Sequence, residues 1–192
     1  METKSRATVY IDLNILEENL RNIRKRFTGS MRILCVVKAD AYGHGANKVA
    51  GKLESIGADY LGVATVDEGI ELRRSGIRLP ILVMSGLFPW DDLNRILEAN
   101  LVPVVYDMNA LQRIAEESEA KGKNIKIHIK VDTGMGRLGF MPSDIPAVAD
   151  LLKRSKNIAV EGLMSHFSSS EIRDEFGAGQ VETFKKVISG LE

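Results

Sequence analysis

The sequence predicts a parallel α/β fold, arranged either as a doubly wound sheet or as a barrel. Six short apolar runs alternate with longer segments in which apolar residues recur every three or four positions. The short runs are typical of buried strands, and the longer pattern is typical of helices that cover a sheet. Strict alternation with short connections favours parallel strands joined by right-handed crossovers. Periodicity alone does not separate the two parallel architectures.

The predicted strands are apolar and have turn residues at their ends. They are Ile33–Val37, Tyr60–Ala64, Ile81–Met84, Val102–Val105, Ile125–Val131 and Ile158–Met164. Ahead of them, Ala7–Ile11 has an alternating pattern and is predicted as a further short strand.

The predicted helices combine an apolar face with residues that favour helix ends. The first begins after Asp12, a typical N-cap residue, and ends near Gly29. Its apolar face consists of Leu13, Leu16, Leu20, Ile23 and Phe27. The others are predicted at Ala46–Ser55, from Asp67 to Gly76, at Pro89–Ala99, at Met108–Lys121, at Pro142–Lys153 and around Val181–Leu191.

The fifth strand has one basic face. Lys126, His128 and Lys130 alternate with isoleucines, and because side chains alternate across a strand, the three basic groups share one side. Buried cations need partners, so inside a barrel this face should meet an anion, a carboxylate or a ligand. The alternative is an edge strand whose basic face is in water.

The overall composition excludes several classes of protein. Lys plus Arg and Asp plus Glu number 26 each, so no nucleic acid or anionic membrane is expected as a partner. No apolar run is long enough to span a bilayer, and no secretory signal is present at the start. The single cysteine, Cys35, lies in an apolar strand and is expected to be a buried hydrophobe in a reducing compartment. These features predict a cytoplasmic protein.

A lone lysine, Lys38, follows the first buried strand and precedes a turn rich in Asp, Tyr, His and Gly. In parallel α/β proteins, ligands gather at the carboxyl ends of strands. Desolvation disfavours a charged amine, so a lysine held partly out of water can attack a carbonyl carbon as a neutral nucleophile. The alternative is a lysine whose stem is packed and whose ammonium lies in water. Within the same turn, His44 is expected to cap the helix that begins at Ala46.

The segment Gly134–Gly139 fits the G-x-G-x-x-G pattern of dinucleotide-binding loops. It indicates an alternative function, a nicotinamide- or flavin-dependent oxidoreductase. Two features count against it. Pro142 follows where the motif should open a helix, and Arg137 places a bulky cation where the backbone must approach a pyrophosphate.

Three segments at strand ends also resemble motifs of one family. They are Val36–Gly45 (VVKADAYGHG), Lys130–Gly139 (KVDTGMGRLG) and Glu161–His166 (EGLMSH). Their sequences resemble the cofactor-lysine signature and two further signatures of the alanine racemases, which are pyridoxal-phosphate enzymes built on a (β/α)8 TIM barrel. The order and the spacing also agree, and the resemblance covers essentially the whole chain.

The resemblance implies a role for five residues. Lys38 would hold pyridoxal 5′-phosphate as an aldimine and act as the catalytic base on one face of the substrate. Arg137 would contact the phenolic oxygen of the cofactor and the substrate carboxylate. Tyr42 would bind the phosphate, and His166 would lie beside the pyridine ring. Lys130 matches a position that some members carry as a carbamate, which orients this arginine.

The resemblance also implies the domain organisation. Residues 11–192 would form an incomplete barrel of about six βα units that binds the cofactor, and residues 1–10 would supply a strand that joins a C-terminal β domain in the family. Members of the family are homodimers with shared active sites. The C-terminal β domain of the partner subunit supplies the second base, which is a tyrosine. The last two barrel strands and that domain lie outside the 192 residues, so we expect this chain alone to be inactive.

The expected activity is the interconversion of L-alanine and D-alanine, which supplies D-alanine for cell-wall synthesis. The alternative substrate is another small amino acid, such as serine. A non-enzymatic alternative is an inert fragment whose open sheet edges self-associate. No metal site is expected, because the three histidines show neither H-x-H nor H-E-x-x-H spacing.

Overall fold

The computed structural model describes residues 7–27 and 29–190, and this part of the chain contains one parallel six-stranded sheet. Its strands are β1 (Leu34–Val36), β2 (Tyr60–Val63), β3 (Ile81–Val83), β4 (Leu101–Val105), β5 (Ile125–Lys130) and β6 (Ile158–Met164). The spatial order is β1-β2-β3-β4-β5-β6. A doubly wound sheet reverses its strand order at a switch point. The consecutive order therefore favours the barrel.

Helices connect the strands. They are α1 (Leu13–Arg24), α2 (Lys38–Gly43), α3 (Ala46–Ser55), α4 (Val66–Arg74), α5 (Leu93–Glu98), α6 (Met108–Lys121), α7 (Ile145–Arg154) and α8 (Glu175–Ser189), with a short 3-10 helix at Pro142–Asp144. Aspartate caps begin several of them; Asp12 accepts a hydrogen bond from Asn14 N at 2.8 Å, and Asp107 accepts one from Ala110 N at 2.8 Å. Within the described ranges, no helix has the length and hydropathy needed to cross a membrane.

Three predicted helix boundaries were wrong for local reasons. The N-cap of α4 is Thr65 rather than Asp67, because Thr65 and Glu68 form a capping box that places the helix start two residues earlier. α5 begins at Leu93 rather than Pro89, since Asp92 caps it by accepting from Asn94 N. The segment from Pro142 opens as a 3-10 turn before α7.

The strand predicted at Ala7–Ile11 is absent. Residues 7–12 have no regular secondary structure, and the Val9 and Tyr10 side chains are exposed. A strand needs a neighbour for its backbone groups, and none of the described strands pairs with this segment. Ala7–Ile11 is therefore not a strand within this chain, while the pairing of residues 1–10 with a C-terminal β domain stays a prediction; residues 1–6 lie outside the described residues. The first helix ends at Arg24, before Phe27, and two residues of its predicted apolar face, Ile23 and Phe27, are exposed.

The core lies mainly between the convex face of the sheet and the helices, and it includes the largest fully buried side chains. A second apolar cluster, Leu82, Val102 and Val104 with their neighbours, covers the concave face. Tyr60 Oη donates a hydrogen bond to Glu161 Oε2 across this face. β2 and β6 are four strands apart in the sheet, so their side chains meet only because the sheet is strongly curled.

The basic face of β5 looks onto this concave surface and meets a carboxylate there. Lys126 Nζ lies 2.8 Å from Glu161 Oε1, and His128 Nε2 lies 3.9 Å from Glu161 Oε2. Lys126 remains largely exposed at the amino end of the strand, so the expectation of a fully internal face was wrong for this residue. Burial is the main cause that lowers the pKa of His128, and Glu161 opposes it.

Candidate active site

Lys38 lies directly after β1, half-buried, at the start of a left-handed helical turn. Ala39, Asp40, Ala41 and Tyr42 have φ values of 51°, 54°, 52° and 55°. None of these residues is glycine, and the left-handed helix costs L-residues roughly 1–2 kcal/mol each. Such a turn persists only where its surroundings hold it. We call Lys38–Gly43 the lysine turn.

Contacts on two sides hold the lysine turn. Within the turn, the Ala41 side chain is buried. Asp40 Oδ1 accepts a hydrogen bond from Ala46 N at 2.6 Å, which ties the turn to the first residue of α3. Ala39 N donates to Glu68 Oε1 at 2.8 Å, which ties it to α4. The turn is therefore fixed by two carboxylates, one from within it and one from the next βα unit.

His44 does not cap α3, contrary to the prediction. Its Nδ1 lies 2.8 Å from Ala41 O and 3.1 Å from Tyr42 O, so the ring closes the lysine turn on itself. The Asp40 carboxylate takes the free amide of Ala46 instead. The Tyr42 side chain points outward and is 59% exposed. Its hydroxyl makes no hydrogen bond within the described part of the chain.

Arg137 is carried by a closed loop after β5, residues 131–140, which we call the arginine loop. Asp132 Oδ1 accepts hydrogen bonds from Gly134 N at 2.8 Å and Gly136 N at 3.1 Å. At the loop's base, Asp132 N donates to Phe140 O at 2.9 Å. Gly139 has φ +146°, and a Cβ there would lie 2.3 Å from Asp132 N. Only glycine permits this close approach.

The arginine loop does not resemble a phosphate cradle. The amides of Gly134 and Gly136, which would face a pyrophosphate in a dinucleotide site, are directed at the loop's own Asp132. Desolvation raises the pKa of Asp132, but these amides outweigh it and hold the pKa below its usual value. A carboxylate at this position would also repel a phosphate. The dinucleotide interpretation therefore has no support in the loop geometry.

Four of the predicted site residues converge at the carboxyl end of the sheet. Lys130 is only 6% exposed, and desolvation lowers its pKa; the charges of Arg137 and Lys38 add to this, and Asp132 opposes it. Desolvation also lowers the pKa of His166, followed by the charges of Arg137, Lys130 and Lys38. The charges of Lys38, Lys130 and Arg137 thus act on one another or on His166, so the four groups lie in one electropositive region.

Asp132 acts on Lys130 through its charge, but no described carboxylate forms an ion pair with the cations of this region. Within the described ranges, the side-chain nitrogens of Lys38, Lys130 and Arg137 form no ion pair or hydrogen bond. Buried or half-buried cations in such a cluster favour an anionic ligand. The geometry is thus suited to bind a small molecule with negative charge beside a lysine amine.

Gln180 of α8 connects the arginine loop to the segment that carries His166. Its amide is almost fully buried, and its Nε2 donates to His166 O at 3.1 Å and to Thr133 Oγ1 at 3.3 Å. Its Oε1 accepts from Ser168 N at 3.1 Å. One side chain therefore holds both loops of the electropositive region in a fixed relation.

Sequence reasoning missed three residues that build the site. Glu68 was detectable, because Thr65-x-x-Glu68 is a capping-box pattern. Asp132 could have been suspected as an acceptor for the glycine amides that follow it. For Gln180, no local signal exists, because its partners lie 12 to 47 residues away.

Residues 11–192 match the family model for the alanine racemase N-terminal domain. The chain belongs to this family. It is 39% identical over 191 residues to alanine racemase 1 of Caldanaerobacter subterraneus subsp. tengcongensis, covering 98% of this chain and 48% of that protein. It is 44% identical over 170 residues to the alanine racemase of Sorangium cellulosum, covering 85% and 45%. The chain therefore spans about half the length of these curated relatives.

Solved alanine racemase structures share the fold. The Clostridium difficile 630 alanine racemase superposes with a TM-score of 0.87 at 36% identity, covering 93% of this chain and 47% of that one. The alanine racemase of Streptomyces lavendulae, a D-cycloserine producer, superposes with a TM-score of 0.87 at 30% identity, covering 94% and 48%. The predicted fold class, an incomplete (β/α)8 barrel, is confirmed.

Proposed function

We propose that this chain is the pyridoxal-phosphate-binding part of an enzyme that interconverts L-alanine and D-alanine. One observation carries the proposal: Lys38, Lys130, Arg137 and His166 lie at or just beyond the carboxyl ends of β1, β5 and β6, where their charges act on one another. The relatives are named alanine racemases, which agrees with this activity.

The donor set suits this cofactor. Pyridoxal phosphate has an aldehyde, which a lysine amine can attack, and a phosphate, which needs cations and hydroxyl donors. Lys38 supplies the amine at the carboxyl end of β1. Tyr42 supplies a hydroxyl without a partner in the described part of the chain, four residues along the lysine turn. Arg137 supplies a permanent planar charge that no described carboxylate occupies.

Each residue then has a distinct task. When bound, the cofactor withdraws electrons from the α-carbon of the substrate and stabilises negative charge there. Lys38 would hold the cofactor through Nζ until the substrate amine takes its place on the cofactor, and the released Nζ, as a neutral amine, would then exchange the α-proton on one face. Arg137 would orient the substrate carboxylate and the phenolic oxygen of the cofactor. Tyr42 would donate to the phosphate, and His166 would contact the pyridine ring.

Lys130 is proposed to carry a carbamate. Carbamylation needs a neutral amine, and the desolvation that lowers the pKa of Lys130 favours that form. Addition of carbon dioxide to the neutral Lys130 amine, with release of one proton, would replace this cation by an anion near Arg137, which has no ion-pair partner among the described residues. The carbamate would hold the guanidinium in one orientation.

The opposite face of the substrate needs a second base. By resemblance to the family, we infer a homodimer with shared active sites, in which the partner subunit supplies this group. A positioned acid or base contributes about 10²–10⁴-fold in rate. The isolated chain is therefore expected to exchange the α-proton of one enantiomer slowly and not to racemise alanine at an enzymatic rate.

Borohydride trapping tests the role of Lys38. The chain is incubated with pyridoxal phosphate, reduced, digested and mapped by mass spectrometry. We expect the pyridoxyl group on Lys38, its loss in Lys38→Ala, and full labelling in Lys126→Ala, which removes a lysine at the far end of β5. Label on Lys130 or spread over surface lysines would contradict the assignment.

Deuterium exchange tests the substrate. The loaded chain is incubated with L-alanine, D-alanine or serine in heavy water, and α-proton loss and chirality are measured on the same samples. Exchange of one alanine enantiomer without inversion is expected. Faster exchange of serine than of alanine would identify serine as the substrate. Racemisation by the isolated chain at ordinary turnover numbers would show that no base from a partner subunit is needed.

A further inference from the structure

We propose that Glu68 is a positioning residue for Lys38. Its carboxylate is the contact from outside the first βα unit that holds the lysine turn in its left-handed conformation. The inference rests on the proposed function for its significance, because Lys38 matters only if it holds the cofactor. The structural part of the inference stands on hydrogen bonds alone.

Glu68 uses both carboxylate oxygens on backbone amides at the ends of two neighbouring strands. Oε1 accepts from Ala39 N at 2.8 Å, immediately after Lys38 and β1. Oε2 accepts from Ala64 N at 2.6 Å and from Thr65 N at 3.2 Å, immediately after β2. One half-buried side chain therefore joins the carboxyl ends of β1 and β2 at the edge where ligands bind.

The contact with Ala39 acts at the point where backbone handedness changes. Val37 has φ −125°, whereas Ala39 has φ 51°. The Ala39 N–H lies in the peptide plane that joins Lys38 to Ala39, so its bond to Glu68 fixes that plane and, with it, the Lys38 backbone from which the left-handed residues start. The charged acceptor on a neighbouring helix favours this orientation, because charge-assisted hydrogen bonds are the strong ones. The supporting contact from Asp40 to Ala46 lies on the other side of the turn.

Thr65 provides a matched control. Its Oγ1 accepts from Glu68 N at 3.3 Å, which is the other half of the capping box of α4. Thr65→Ala removes a cap bond from the same helix start and leaves the Glu68 carboxylate free to contact Ala39. Glu68→Ala keeps that bond but removes the other half of the box, the bonds from Ala64 N and Thr65 N, together with the contact from Ala39 N. Each variant breaks one half of the cap of α4, and only Glu68→Ala removes the contact with the lysine turn, so exchange measured at Ala39 itself distinguishes the two effects.

The first readout is hydrogen–deuterium exchange of the cofactor-free chain, resolved at the Ala39 amide. We expect exchange at Ala39 to be about tenfold or more faster in Glu68→Ala and within about twofold of the wild type in Thr65→Ala, since local opening sets the rate. Glu68→Gln keeps one acceptor oxygen for three amides, so the Ala39 amide should also exchange faster in this variant than in Thr65→Ala. Glu68→Gln is the test variant if Glu68→Ala does not fold. Equal exchange at Ala39 in the Glu68 and Thr65 variants would overturn the inference.

The second readout is the rate at which pyridoxal phosphate is trapped on Lys38 by borohydride. It should fall about tenfold in Glu68→Ala and stay within about twofold in Thr65→Ala, because reactions depend steeply on the placement of the nucleophile. Equal trapping rates in the two variants would refute positioning. If the wild-type chain traps no cofactor on Lys38, the proposed function fails, and the exchange experiment still decides whether Glu68 holds the turn.

Discussion

Tyr60 Oη and Glu161 Oε2 form a hydrogen bond that joins residues 101 positions apart, one at the start of β2 and one within β6. Lys126 and His128 approach the same carboxylate from β5. The polar cluster therefore connects the second, fifth and sixth strands across the concave face. Tyr60, His128 and Glu161 are partly or largely removed from water, whereas Lys126 remains exposed. The ionisation of the first three is therefore coupled to folding.

Tyr60→Phe should change the alkaline limit of stability. Desolvation, with the hydrogen bond to Glu161, raises the pKa of Tyr60 from 10.0 to about 12. A raised pKa means that the protonated phenol stabilises the folded chain below pH 10 and that this contribution is lost as pH rises to 12. In urea unfolding, the unfolding free energy of the variant should not show the decrease that the ionisation of Tyr60 causes in the wild type between pH 10 and pH 12. If the difference in unfolding free energy between the variant and the wild type stayed constant from pH 9 to pH 12, the raised pKa of Tyr60 would be contradicted.

Glu161→Gln should change the acid limit. Desolvation raises the pKa of Glu161, but the bonds from Lys126 and Tyr60 outweigh it and lower the pKa below 4.5. The ionised carboxylate therefore stabilises the fold above this value, and the contribution disappears as pH falls through the folded-state pKa. We expect the variant to lose about 1–3 kcal/mol at pH 7, as for other buried polar groups left unpaired. The unfolding free energies of the variant and the wild type should converge in acid. A difference that stayed constant down to low pH would show that the ionised Glu161 carboxylate is not its cause.

Gly139→Ala should damage the arginine loop far more than Gly136→Ala. Both glycines have positive φ, which costs an alanine roughly 1–2 kcal/mol. At Gly139 the added methyl group also meets the backbone of Asp132, while at Gly136 it meets nothing within 4 Å. We expect a loss in unfolding free energy of about 3 kcal/mol or more at Gly139, since overpacking adds to the backbone cost. Equal losses at the two positions would show that the close approach is not a constraint.

Gln180→Ala should loosen both loops of the site. The substitution leaves Thr133, His166 O and Ser168 N without their common partner. We expect a loss of about 2–3 kcal/mol, in line with buried partners left unsatisfied, and faster amide exchange at Ser168. Gln112→Ala, at an exposed position of α6, is the matched control and should fall within about 0.5 kcal/mol of the wild type. A Gln180 variant that is as stable as this control would exclude the bridging role.

The sequence predicted features that depend on local pattern and missed those that depend on distant contacts. The cores of all six strands, and the bounds of α3 and α6, followed from apolar periodicity and caps. The lysine turn could not be predicted, because propensity disfavours four left-handed residues and a carboxylate 29 positions away holds one end of it. The curl of the sheet brings together pairs such as Tyr60 and Glu161, and periodicity does not reveal such distant contacts. Ala7–Ile11 has a strand pattern but no neighbouring strand among the described residues, so its pairing with a further domain stays a prediction.

The lysine turn and the arginine loop are supported by separate parts of the chain, and this has a consequence for the order in which the protein is made. The partners of the lysine turn, Ala46 and Glu68, are 6 and 29 residues from their contacts, whereas Gln180 reaches back 47 residues to Thr133. Chains emerge from the ribosome N-terminus first, and short separations close early. We expect the contacts that hold the lysine turn to form during translation, before Arg137 has been synthesised.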